Sequence, residues 1–496
     1  MKNKLKSTAN RCTIFSVFIQ VRKTFVRNIY ANGAQLAINQ VFGFLIFYLL
    51  SNHLSKADFG ELNWTLAVFI TCFSVLSFGL DQVLVRKVAA GDSTSETTGL
   101  YLFHVVLSGL LFYTTLLIGS ILFPHFFAQH SLLLLMGIGK LLFSFSTPFK
   151  QLTTGRERFP VLLYMSIISS VAKGVLLFFL YFTSSLTLYH SALVFVFADG
   201  LEWLLTLFIY QYFFKERVRF FFNRKAYFLL LKESMAQAGV TFFSAALARM
   251  DWILIGLFLS ATKLAEYGFA YKIFELSTFP LLVIAPLLVP FISRKGSLEK
   301  DIHLEKRLRQ LVHIELVIAA FTVLLLNLFW KPIIDPLTGG HYGAVNAKTI
   351  FILSLSIPLL YLNNFLWSFH FAQGGLKMIF RIFALTFLIN LLLNAFLIPV
   401  IGNEGAAISF LLSILIQTIL YSKKAAISMT GCWQQLFGYS FASLLCCGFA
   451  KLLFTSLLPT SIFSITLFAF ILLIGPFNNI LGRKHRPLLL WQRGNP

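Results

Sequence analysis

Charge is scarce in this sequence. Asp, Glu, Lys and Arg make up 12% of its 496 residues, about half the share of an ordinary soluble chain. Acid is scarcer than base, 19 residues against 41, which leaves a net charge of +22. Polar stretches long enough to fold as an aqueous domain are missing. That excludes an ordinary cytosolic enzyme and an ATP-binding domain within this chain. Cysteine is also rare. Cys12, Cys72, Cys432, Cys446 and Cys447 show no CxxC spacing and mostly fall in apolar runs. They read as small hydrophobes, not as a disulfide framework. The ten His show no HExxH or other metal-ligand spacing, so no metal and no cofactor is expected. No cleavable signal peptide is expected either, because the basic first 27 residues lack an unbroken apolar stretch, which Arg22 and Lys23 interrupt.

Apolar residues fill the space that charge leaves. The hydrophobic fraction is 57%, with 57 Phe, far more than one aqueous core could bury. They come in runs of about 20 residues, the length that crosses a bilayer's hydrocarbon core. The expected fold is an all-α integral membrane protein of about 14 transmembrane helices. The second run is Trp64–Leu84, the fourth Leu132–Phe149, the fifth Phe159–Phe182 and the sixth Leu188–Phe214. The eighth is Ala265–Ile292 and the fourteenth Ile462–Leu481. In a soluble protein the positive charge would suggest nucleic acid. Here 32 of the 41 Lys and Arg fall in alternate gaps between runs, Lys150, Arg156 and Arg158 among them, so no nucleic-acid partner is expected. Only Lys56, Lys263, Lys331 and Lys348 fall in the other gaps. This bias places both termini in the cytoplasm. The basic loops also suit anionic lipid or a partner's acidic tail.

The chain repeats itself. Ala57-Asp58-Phe59-Gly60 returns as Ala265-Glu266-Tyr267-Gly268, and Arg86-Lys87 returns as Arg294-Lys295, both at an offset of 208 residues. This predicts two six-helix halves around a central cavity plus two C-terminal helices. The boundaries are a basic N-terminal segment 1–27, a first half 28–214 and a basic linker 215–234. A second half 235–421, two appended helices 422–481 and a basic tail 482–496 follow. Six spans per half is even, so the repeats are parallel, an arrangement that binds cargo near the midplane and alternates access by rocking.

Five basic residues remain inside spans: Lys140, Lys173, Arg249, Lys272 and Lys451. A charge there costs roughly 2.5–3.5 kcal/mol unless paired, hydrated or able to snorkel. Lys451, near a span end, can snorkel. Lys272 and Glu275, three apart on one helix, either pair or contact cargo. Arg249 and Asp251, two apart, point away from each other and need water, another helix or a ligand. Lys140 and Lys173 have no acid at helical spacing, so these two and Arg249 are the leading cavity cations. Asp199 and Glu202, with Asp251 and Glu275, could balance the cations or form a proton or sodium site, and the sequence leaves both open. Asp81 and Glu315, near inside ends, are expected to be hydrated. Amides within spans include Gln35, Asn39, Gln40, Asn363, Asn364, Asn390 and Asn394. They read as interhelical glue or, for Asn39, Gln40, Asn390 and Asn394, as contacts for sugar hydroxyls.

Some motifs fail. Gly137-Ile138-Gly139-Lys140 resembles the end of a phosphate-binding loop but lacks its earlier Gly and the following Ser or Thr. Asn63-Trp64-Thr65 matches a glycosylation sequon by chance.

One set of residues has a recognisable order. Asn390-Leu391-Leu392-Leu393-Asn394, then Leu397-Ile398-Pro399, Gly402 and Gly405-Ala406-Ala407, resembles a signature of Wzx-type bacterial polysaccharide flippases. These belong to the multidrug/oligosaccharidyl-lipid/polysaccharide exporter (MOP) superfamily. Leu54 to Gly60 with Gly79-Leu80-Asp81 and Arg86 is similar to that family's first half. Asp251, Gly256, Tyr267 and Ala270-Tyr271-Lys272 are similar to the entry into its second half. Ala265 departs from it, where the family often has Gly.

The resemblance implies a non-enzymatic flippase in the bacterial inner membrane. It would carry undecaprenyl-diphosphate-linked oligosaccharide from the cytoplasmic to the periplasmic leaflet, for O-antigen, capsule or exopolysaccharide. Partners would be membrane lipid and the glycan polymerase and chain-length machinery. The membrane potential would help, by roughly 2.3 kcal/mol per charge per 100 mV. A drug antiporter of the same superfamily would want a more acidic cavity. The lipid II flippase would carry an Arg-rich first span, not seen here. A membrane polymerase would need a large outside loop or a carboxylate pair, and the largest such loop, Lys331–Lys348, holds only Asp335.

Overall fold

The structure, a computed structural model, describes residues 2–91, 94–215, 220–281, 302–425 and 430–474. Among these it is helical, without strands. Twelve helices are long and apolar enough to cross a membrane, and a shorter apolar helix covers Leu457–Leu473. The polytopic all-α fold read from the sequence is therefore the fold found. The eighth expected run is helical over Ala261–Ser277, and from residue 282 it lies outside the described residues. The fourteenth is helical to Ile474, beyond which residues are not described; Arg294, Lys295 and the basic tail fall in the same category.

The chain divides into two compact units, 1–268 and 269–496. Unit 1 carries α1 (Lys2–His53), α2 (Lys56–Leu76), α3 (Leu80–Ala89), α4 (Thr94–Leu122) and α5 (Pro124–Gln129). It continues with α6 (Leu132–Gly155), α7 (Phe159–Phe182), α8 (Leu188–Phe214), α9 (Arg224–Phe258) and the start of α10 (Ala261–Ser277). Inside it α6 packs on α8 and α7 on both α8 and α1, while α2 packs along α9. Apolar side chains such as Phe179 and Phe208 stay exposed on the helix faces, the surface that hydrocarbon would cover.

Local chemistry sets these boundaries. Ser55 caps α2, its hydroxyl accepting the Asp58 N–H at 3.1 Å. Asn223 caps α9 by accepting from the N–H groups of Lys225 and Ala226. The stretch read as linker is thus helical from Arg224. The second expected run, Trp64–Leu84, is not one helix. It breaks after Leu76, and Gly79 takes φ +66° before α3 begins. A Cβ on Gly79 would meet the Ala238 backbone nitrogen of α9 at 2.6 Å. Glycine therefore serves both the left-handed turn and the close approach.

Each copy of the repeated tetrapeptide touches a residue flanking the other. Gly60 lies against the backbone of Ala261, too close for a Cβ. Lys56, beside the first copy, donates to Glu266 in the second at 3.1 Å, and Lys263 donates to the same carboxylate at 2.9 Å. Trp64 spans the seam, its indole N–H donating to the Ile253 carbonyl at 3.3 Å. Asn63 of the sequon is buried inside α2.

Unit 2 holds the rest of α10, then α11 (Ile302–Leu337), α12 (Ala347–Leu355), α13 (Ile357–Ala372) and α14 (Leu376–Ile401). α15 (Asn403–Lys424), α16 (Thr430–Leu453) and α17 (Leu457–Ile474) complete it. The α14–α15 corner uses Gly402 at φ +64°, and Gly405 sits against the Leu397 carbonyl with no room for a side chain. Buried amide and phenol pairs tie its helices, Asn363 to Gln417 at 3.2 Å and Tyr439 to His313 at 2.9 Å. Interhelical polar bonds of this kind are the usual glue of membrane bundles.

Candidate functional site

Lys140, Lys173, Asp199 and Glu202 of unit 1 converge where α6, α7 and α8 pack. Two glycines allow it. A Cβ on Gly139 would approach the Val196 Cα of α8 to 2.8 Å, and one on Gly137 would press the Tyr113 ring of α4 at 3.1 Å. The Gly-x-Gly that mimics a phosphate loop is thus a packing device, thinning α6 on two faces. Lys140 follows immediately, and its ammonium reaches Asp199 Oδ2 of α8 at 2.7 Å.

Asp199 is shared. Lys173 of α7 donates to its Oδ1 at 2.5 Å, and the Ser169 hydroxyl donates to the same oxygen at 2.8 Å. The carboxylate is 1% exposed, so these three bonds replace its water. One helical turn along α8, Glu202 is paired with Lys150 of α6. Phe143 lies between the two α6 amines, with Lys140 5.4 Å and Lys150 4.6 Å from its ring centre. Lys173 lies 4.9 Å from the ring of Phe195. Aromatic faces add cation–π attraction in a dry setting.

Three ammoniums therefore face two carboxylates, one positive charge in excess, among three apolar helices. The lysine side chains keep 12–17% exposure while the carboxylates keep 1–2%. The lysines are thus the less deeply buried members of the cluster. Such a site can hold an anion whose oxygens take over amines now bonded to carboxylate.

Of the residues singled out from sequence, Lys140, Lys173, Asp199 and Glu202 come together here. Lys150 was counted with the loop cations, and that is corrected: α6 runs on to Gly155, past the expected end at Phe149, and carries Lys150 into the cluster. Its signal was spacing, since ten residues of helix return it to within about 80° of Lys140's face. Ser169 and Phe143 had no signal.

The other candidates sit elsewhere. Arg249 of α9 lies over the Trp252 ring at 5.0 Å. Asp251 finds a partner on the next helix, accepting from the Tyr267 hydroxyl at 2.5 Å and the Trp252 N–H at 2.9 Å. Lys272 and Glu275 pair with each other at 2.8 Å. Asn390 and Asn394 are buried in α14, one amide donating to the other at 2.9 Å. Asn39 and Gln40 of α1 are half-buried, and the Asn39 carbonyl oxygen has no partner. Lys451 is exposed and reaches the Asn327 carbonyl at 2.7 Å. Glu315 differs from expectation. It is 3% exposed, with neither carboxyl oxygen hydrogen-bonded, so burial in α11 replaces the hydration expected near a span end.

Twelve apolar helices of spanning length define a multi-pass membrane protein. Residues 25–295 match the model of the family described as polysaccharide biosynthesis protein, and the chain belongs to that family. No curated protein matches the sequence. Among solved structures it is similar to the lipid II flippase MurJ in an inward closed conformation. The TM-score is 0.72 at 16% identity, over 90% of this chain and 99% of that one. It is also similar to the Vibrio cholerae MATE transporter VcmN, with TM-score 0.58 at 14% identity over 81% and 96%. A Pyrococcus furiosus MOP-superfamily transporter, described as having a binding pocket of reverse polarity, gives 0.59 at 13% over 85% and 96%. These likenesses show a shared fold.

Proposed function

We propose that the protein moves a lipid-linked oligosaccharide, joined to undecaprenol through a diphosphate, from the cytoplasmic to the periplasmic leaflet of a bacterial inner membrane. The carrying observation is the excess of amines over carboxylates at Lys140, Lys150, Lys173, Asp199 and Glu202. Such a diphosphate cannot cross hydrocarbon bare, because burying an unpaired charge there is prohibitive. A cluster with one surplus cation offers it partners within the bundle, while the lipid tail stays in the bilayer. A cationic drug would meet repulsion at the same place.

Family membership supports a place in polysaccharide biosynthesis, with the glycan polymerase and chain-length machinery acting on the delivered units. Both termini are cytoplasmic in this reading, following the distribution of Lys and Arg. Its test is transport of a labelled lipid-linked oligosaccharide in reconstituted vesicles, with a deletion strain alongside. Repeat units should gather on the inner leaflet of the deletion strain. Exported but unpolymerised single units would instead indicate a polymerase.

A further inference from the structure

Unit 1 contains a cavity of about 300 Å³ between α2, α4 and α6. Its walls are largely hydrocarbon and aromatic, with Phe69 and Phe73 from α2, Val105 from α4 and Phe143 from α6. Ser108 and Ser144 also line it, but their hydroxyls donate to the carbonyls of Val105 and Leu141 in their own helices. They are already satisfied and ask nothing of an occupant. The charged residue in the lining is Lys140. On α6 the lining runs from Lys140 to Thr147, roughly 10 Å of helix, so the cation stands at one end of an apolar trough. Unit 2 has a cavity of comparable size, about 390 Å³ between α10 and α11, with no charged residue in its lining. Of these two cavities, the one in unit 1 has a lysine in its lining.

Lys140 thus has two roles at once. It is a member of the amine cluster through Asp199 and the end wall of the trough. That geometry matches an amphiphile whose anionic head joins directly to a hydrocarbon chain. We propose that this cavity is the subsite for the isoprene units next to the diphosphate of the lipid-linked cargo. The proposal rests on the function proposed above. By the charge topology, the Thr147 end of the trough faces the cytoplasmic side. A cargo whose diphosphate has risen to Lys140 therefore leaves its first isoprene units behind it, in the half of the membrane it came from. The trough keeps that segment among side chains while the head is between leaflets.

The test is binding to the purified full-length protein, with inorganic pyrophosphate, geranyl diphosphate and farnesyl diphosphate as probes. Farnesyl diphosphate should bind about tenfold or more tighter than pyrophosphate, with the geranyl compound between them. Ser144→Phe and Ser108→Phe, which fill the trough from different helices, should each remove that gain. Both should keep pyrophosphate affinity, which also shows that they are folded. Thr322→Phe, in the cavity of unit 2, should change neither. A gain that survives in both filled variants would place the chain elsewhere and overturn the subsite. Loss of the gain on adding phosphatidylglycerol would make the trough a general lipid site and overturn it too. Wild-type protein that fails to bind pyrophosphate, as Lys140→Gln also should, would overturn the proposed function itself.

Discussion

Gly139 lies flat against the Cα of Val196, and this contact sets the distance from Lys140 to Asp199. A Cβ at Gly139 would come within 2.8 Å of that carbon. The next residue's ammonium then meets the carboxylate at 2.7 Å. Packing and charge placement are one feature of the α6–α8 contact.

Gly139→Leu should therefore act at a distance. Overpacking typically costs about 1–3 kcal/mol, read as a lower melting temperature of the purified protein. Transport should fall further than stability, because α6 moves outward and the Lys140–Asp199 bond lengthens. Unchanged transport with lowered stability would separate the two roles.

Lys140→Ala and Lys173→Ala should each abolish export while the protein remains in the membrane. Asp199 holds both amines, so either single loss leaves it with one ammonium beside the Ser169 hydroxyl. Surface glycan and membrane protein level, measured in the same cells, check this. Normal glycan in both variants would remove the cluster from the transport path.

Lys150→Ala should behave differently. Glu202 has Lys150 as its ion-pair partner, and breaking a buried pair from one side costs about 3–5 kcal/mol. Folded protein should drop sharply. Adding Glu202→Ala should restore most of it. A thermal double-mutant cycle reads the recovery as a coupling energy.

Glu315→Gln should fold at least as well as the parent. The wild-type carboxylate is buried in α11 without a hydrogen bond, and a neutral isostere lowers the burial cost. Melting temperature in detergent is the measurement. A marked loss would mean that Glu315 has a partner essential to the fold.

Much of this was legible beforehand, for identifiable reasons. Run length and the scarcity of charge gave the polytopic helical fold, because a bilayer allows few alternatives. Lys140, Lys173, Asp199 and Glu202 stood out because charge inside an apolar run is costly. Their pairing was not readable, since it depends on three helices separated by long stretches of chain. Lys150 was hidden by its place one residue past an expected span end, where a helix boundary and a loop look alike in composition. The break at Gly79 was hidden because Leu80, Val83 and Leu84 continue the apolar pattern on α3. Glu315 was misread because distance from a span end says nothing about which neighbours enclose a side chain.

The double grip on Asp199 changes what binding an anion would require. A lone buried ion pair resists opening, since freeing one member strands the other. Here the Lys173 ammonium and the Ser169 hydroxyl remain on Asp199 after Lys140 turns away. An arriving phosphate would exchange one oxygen partner for another at Lys140, and no group would pass through a naked state.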